Sequence, residues 1–123
     1  MAYIQTHPDD LFYPASLDQA IDWFREHAQY NDVVLASEHT SQVLAQKTGL
    51  RVYAGHEMET LHYKDKLLRV EAFFQGNLPE LASSPIKWVV YGPAERELSA
   101  TFPRPDNLQL VYDTADLQIY RVR

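Results

Sequence analysis

The sequence predicts an α/β fold: a mostly parallel sheet in a three-layer, Rossmann-like or flavodoxin-like arrangement, ending in a C-terminal antiparallel hairpin. Three observations predict it. Short continuous apolar runs at 32–37, 50–54 and 86–91 read as strands covered on both faces. They alternate with stretches of helical periodicity, a pattern that yields parallel strands with right-handed crossovers. Two further strand-like segments close the chain and are joined by the tight turn Asp113-Thr114-Ala115-Asp116, so they pair as a hairpin.

Residues 1–15 read as an irregular lead-in broken by Pro8 and Pro14. A helix is expected over 16–28. Ser16 is placed to cap it with Gln19 reaching back, and Leu17, Ala20, Ile21, Phe24 and Ala28 recur on one face. Asp32 to Ser37 is the first strand. A weaker helix over 38–48 ends at Gly49, and Leu50 to Ala54 is the second strand. After a loop from Gly55 to Leu61, Tyr63, Leu67, Val70 and Phe74 mark a helix over 63–75 that stops at Gly76. A helical turn is expected near 78–83. Ile86 to Tyr91 is the third strand, and Pro93 opens a short helix after it. Residues 102–107 are a loop, and 108–112 and 117–122 form the hairpin.

The chain of 123 residues suits a single domain over 1–123 with a real core. Its 46% apolar and 23% charged content is ordinary for a globular protein. Seventeen acidic against eleven basic residues give a net charge of −6 with no basic run, which disfavours nucleic acid as a partner. With no cysteine, disulfides, thiolate metal sites and cysteine nucleophiles are excluded. No run approaches the ~18 apolar residues of a membrane span. The opening Met1 to Pro8 does not read as a signal peptide, and Met1 need not be the native start.

The densest polar cluster is Gly55-His56-Glu57-Met58-Glu59-Thr60-Leu61-His62, placed after a strand end where open α/β sheets bind ligands. His56 and Glu57, with Glu59 or His62, carry the imidazole and carboxylate groups of a metal site, or of a base and its orienting partner. The helical His-Glu-x-x-His pattern needs a second histidine at 60 and finds Thr60, so no metal is assigned. The bland alternative is a structural loop, with Gly55 for an unusual backbone angle and Thr60 as a helix cap. Polar-ligand binding without chemistry lies between the two.

Gly92-Pro93 with Glu95 and Arg96 follows the third strand and faces the same edge. It reads as a structural turn or an anion site, but lacks the glycine spacing and lysine of a phosphate loop. Ser37-Glu38-His39-Thr40-Ser41 invites nucleophilic catalysis, yet the Gly-x-Ser-x-Gly elbow is missing and capping by Thr40 is the simpler account. Trp88 reads as core. Trp23 lies beside the apolar stripe of the first helix, where exposure would mark a docking face. The binding candidates are therefore His56, Glu57, Glu59, Thr60, Glu95 and Arg96, with no catalytic residue, metal or cofactor assigned.

Four segments together carry a resemblance. They are Tyr13-Pro14 with Ala20 and Trp23; Asp32 to Ala36; Thr48 to His56 with Glu59-Thr60, Lys66 and Val70 to Phe74; and Trp88 to Pro93 with Glu95-Arg96, Leu110 to Tyr112 and Ile119-Tyr120. In that order the chain resembles the soluble C-terminal domain of bacterial multi-spanning glycosyltransferases, the protein mannosyltransferase-like enzymes that use lipid-linked sugars. The resemblance implies a membrane-protein parent with this domain on the extracytoplasmic side. It places the catalytic acidic residue in the membrane region, so no catalytic role transfers onto this chain. The implied role is accessory: touching the acceptor or covering the membrane active site, with the rest of the parent chain and a glycan or lipid-linked sugar as partners. One departure is Met58, where the related loops tend to carry an aromatic. If Met1 is native, the residues also fit a free-standing cytoplasmic binding or interaction module.

Overall fold

Strands that are apolar on both faces must be covered on both faces, and the central strands here meet that demand. The computed structural model describes residues 3–4, 13–53, 63–81 and 85–123. Its elements run β1 (Tyr3–Ile4), β2 (Tyr13–Pro14), α1 (Ala15–His27), β3 (Val33–Leu35), α2 (Glu38–Thr48), β4 (Arg51–Val52), α3 (Tyr63–Phe74), a 3-10 turn (Pro79–Leu81), β5 (Ile86–Tyr91), α4 (Pro93–Leu98), β6 (Leu108–Asp113) and β7 (Gln118–Val122). The fold is mixed α/β. Its main sheet has the order β4-β3-β5-β7-β6, with β3 parallel to both β4 and β5 at one end. At the other end β7 is antiparallel to β5 and to β6. The hairpin thus joins the sheet through its second strand.

Alternation along β3 and β5 divides the core in two. Val34, Trp88 and Val90 pack with Leu17, Ile21 and Phe24 of α1 and with Val43 and Leu44 of α2. Leu35, Val89 and Tyr91 pack with Val70, Phe73 and Phe74 of α3. Ile86 breaks strict alternation, joining the α3 cluster with Val89 although it lies an odd number of residues away. The cause is a register shift: Val33 pairs with Ile86 but Val34 pairs with Trp88, so β5 carries one extra residue. A second irregularity between Leu110 and Tyr112 turns both Val111 and Tyr112 toward the α1 cluster.

Several expectations need correction. The lead-in is not wholly irregular, since β1 and β2 pair antiparallel and α1 already starts at Ala15, straight after Pro14. Ser16 therefore lies inside the first turn instead of capping it, and its buried Oγ finds no partner among the described residues. Thr40 is not the cap of α2. Ser37 is, its side chain accepting from the Thr40 N–H, because the helix starts at Glu38 and puts Thr40 three places in. The second strand is Arg51–Val52, shorter than expected: the Tyr53 N–H still donates to the Val34 carbonyl at 3.0 Å, but Tyr53 already turns, and Ala54 lies outside the described residues. Gly49 closes α2 at φ 75°, and Gly76 follows α3 at φ 87°.

Candidate functional site

The path of the chain singles out one place on the sheet. After β3 the chain crosses to β4 on one side, and after β4 it returns to β5 on the other. Loops leaving the carboxyl ends of β3 and β5 therefore diverge, and such a reversal opens the crevice where α/β sheets bind ligands. The residues here are Ala36 and Ser37 after β3, and Gly92 to Arg96 after β5.

Glu95 is buried at this reversal. Its side chain is 0% exposed. The Gly92 N–H donates to its Oε1 at 2.8 Å, and the Ser37 N–H donates to its Oε2 at 2.9 Å. The first bond is local: Pro93 opens α4, so Glu95 occupies the third helical position and reaches back to the free amide before it. The second spans 58 residues and ties the end of β3 to the end of β5. A buried carboxylate needs such donors, and charge-assisted bonds to N–H groups are among the stronger ones. Gly92 is required by space. A Cβ there would stand 2.9 Å from Leu117 Cδ1 and 3.3 Å from Glu95 Oε1.

Arg96 turns the other way. Its guanidinium donates to the Asp116 carbonyl and, at 2.9 Å, to Gln118 Oε1, and it lies 5.0 Å above the Tyr91 ring. It fastens the hairpin turn to α4. Burial raises the Tyr91 hydroxyl above its usual value, with Arg96 pulling partly back. That hydroxyl donates to the Ser99 carbonyl at 2.7 Å. Two neighbours from the sequence, Glu95 and Arg96, thus secure the parallel and the antiparallel halves of the sheet.

The hydroxyls after β3 are engaged in starting α2. Ser37 Oγ accepts from the Thr40 N–H and donates to Thr40 Oγ1, and Ser41 Oγ donates to the Ala36 carbonyl. All three residues are buried, while His39 is exposed. Nucleophilic use of these serines would first have to break the start of the helix. Among the described residues no three His, Asp or Glu side chains converge as a metal site requires. His56, Glu57, Glu59 and Thr60, with the rest of the Gly55–His62 loop, lie outside the described residues. Of the six candidates, the structure therefore places Glu95 and Arg96.

Two other surfaces carry character. Trp23 stacks on His27 at 4.3 Å and meets Trp88 and Tyr112 edge-on or tilted at 5.4 and 5.6 Å. Trp88 is anchored by its Nε1 donating to Asp32 Oδ2 at 2.9 Å, and the same oxygen accepts from the Gln29 N–H. Trp23 is half-buried within this cluster. An open apolar groove of about 440 Å³ runs past Leu67, Leu68 and Leu98, edged by Glu38, Lys64 and Glu71. Leu68 is 65% exposed there. No helix among the described residues is long and apolar enough to cross a membrane. Compared with known protein families and with curated proteins, the chain matches none.

The Ser37–Glu95 link and the Asp32–Trp88 link were not read from the sequence. Only the local Gly92–Glu95 half of the first had a visible signal, a glutamate three residues after a Gly-Pro helix start; its reach to Ser37, 58 residues away, had none. The second had none, because it joins side chains 56 residues apart.

Proposed function

We propose that this chain is an accessory, non-catalytic domain of a membrane glycosyltransferase-like protein. We read its fold as three-layer and Rossmann-like, on the support of two core clusters packed from opposite faces of β3 and β5. One observation carries the functional reading: Glu95 takes up the backbone donors at the strand-order reversal, where a ligand would otherwise be held. A domain whose strand-order reversal is occupied by its own buried side chain serves better as a rigid body than as a reaction vessel. The resemblance then supplies the parent, the extracytoplasmic placement, and a role in touching the acceptor or covering the membrane active site.

The reading is tested on the native gene product, tagged at its C-terminus and followed by size and fractionation. A membrane-bound protein several times heavier than 14.2 kDa, with the tag cleavable from the extracytoplasmic side, is the expected result. A soluble product near 14.2 kDa contradicts it. That outcome would favour a free-standing cytoplasmic binding module, a reading supported by the apolar groove at Leu67, Leu68 and Leu98.

A further inference from the structure

Helix α3 buries one side in the core and leaves a second apolar edge in the open. Val70, Phe73 and Phe74 are buried, whereas Leu68 is 65% exposed, more than any other large aliphatic side chain among the described residues. Leu68 stands at the open groove of about 440 Å³, whose α3 rim is Lys64, Leu67, Leu68 and Glu71. These are positions i, i+3, i+4 and i+7 of one helix, the four corners of a hole that receives a side chain from a facing helix. Leu98 of α4 lines the groove from the other side. One side chain ties the two walls together: Gln75 Nε2 donates to Glu71 Oε2 at 3.5 Å and to the Leu98 carbonyl at 3.3 Å.

The order of these four residues selects an occupant. Lys64 lies three residues before Leu67, and Glu71 lies three residues after Leu68. Two antiparallel copies of α3, related by a two-fold axis passing between Leu67 and Leu68, therefore set Leu67 against the partner's Leu68 and Lys64 against the partner's Glu71. Parallel copies would set each charge against its like. We propose that a second copy of this chain occupies the groove, in an antiparallel two-fold pairing of α3 in which each Leu68 enters the groove of the other copy. The pairing forms two opposite-charge contacts and covers the apolar edge that a monomer leaves to water. A helix of 12 residues is only about 18 Å long, so the contact is small and the dimer is a weak one. The inference goes beyond the accessory-domain reading and stands on this chain alone.

Sedimentation equilibrium of the 123-residue chain tests the pairing up to about 1 mM, a concentration that reveals weak association. Each copy carries a net charge of −6, so about 0.15 M salt is used to screen their long-range repulsion. Wild type should pass from 14.2 kDa toward twice that mass as concentration rises. Leu68→Glu should stay at 14.2 kDa throughout, with its circular dichroism unchanged because the side chain it replaces is exposed. Lys64→Glu and Glu71→Lys each turn both charge contacts repulsive, and each should weaken self-association at least about fivefold. Mixed in equal amounts, these two variants meet with opposite charges at both contacts, and the mixture should regain the affinity of wild type. A wild type that remains at 14.2 kDa overturns the proposal, leaving the groove to a different partner. The accessory-domain reading would stand, since the size and location of the native product decide it. A dimer that survives Leu68→Glu, single charge variants that match wild type, or a mixture no tighter than its components each overturn the proposal as well.

Discussion

Gly92→Ala puts one methyl group into the tightest point of the clasp. The Gly92 backbone lies at φ −128°, open to any residue, so the cost comes from packing alone. The new carbon would stand 2.9 Å from Leu117 Cδ1 and 3.2 Å from its Cγ, where carbon pairs prefer about 3.5–4.0 Å. Overpacking of this kind costs about 1–3 kcal/mol. The stiffer unfolded chain returns about 0.4–1 kcal/mol of it, leaving a net loss of about 1–2 kcal/mol. Unfolding entropy of about 2.1 cal/mol/K per residue over 123 residues makes each kcal/mol worth about 4 °C. Thermal denaturation should therefore show Tm lower by about 4–8 °C. A double-mutant cycle with Leu117→Ala assigns the cause, since making room should recover at least about 1 kcal/mol relative to the sum of the single changes. Strict additivity, or an unchanged Tm, would refute the steric reasoning.

Arg96→Ala should lower stability by about 1–2 kcal/mol in urea unfolding through loss of its bonds to Asp116 and Gln118, and Arg96→Lys should recover little, since one ammonium cannot repeat the fork. Asp32→Ala removes the acceptor shared by the Trp88 indole and the Gln29 amide. It should cost about 1–3 kcal/mol and shift tryptophan emission to the red, and unchanged emission would place Trp88 in a different setting. Burial raises the hydroxyls of Tyr91 and Tyr120 above their ordinary value, so unfolded tyrosines ionise first. The stability they contribute is complete below about pH 10 and is lost as pH rises through the folded values. Urea midpoints across that range should decline, and more gently in the Tyr91→Phe, Tyr120→Phe double variant.

Local periodicity made most elements legible. The stripe Leu17, Ala20, Ile21, Phe24 marks a helix with one apolar face, and all four are buried. Ile86 to Tyr91 is read as a doubly covered strand because its apolar residues do not alternate, and its side chains do divide between two clusters. Pairing is less local. Tyr3–Ile4 meets Tyr13–Pro14 through a contact that neither segment's composition signals, and the bulges in β5 and β6 arise from register with their neighbours. At the site, the sequence located the Gly92–Arg96 turn after a parallel strand but not its partner. A carboxylate seeking an amide 58 residues away leaves no pattern in its own segment. Ligand site and clasp use the same residue types at a helix start, so the sequence leaves both readings open for Glu95.

Amide hydrogen exchange at Ser37 tests most directly whether Glu95 closes the strand-order reversal. Glu95→Gln keeps the size of the side chain but leaves one oxygen to accept from two N–H groups, so one amide must face an –NH2 instead. Exchange is followed residue by residue in both proteins, with Val34 and Val90 of the central strands as references for overall stability. Ser37 or Gly92 should lose at least about tenfold more protection than the references, the equivalent of one lost bond of about 1.4 kcal/mol. Protection that falls equally at all four amides, or at none, would contradict it.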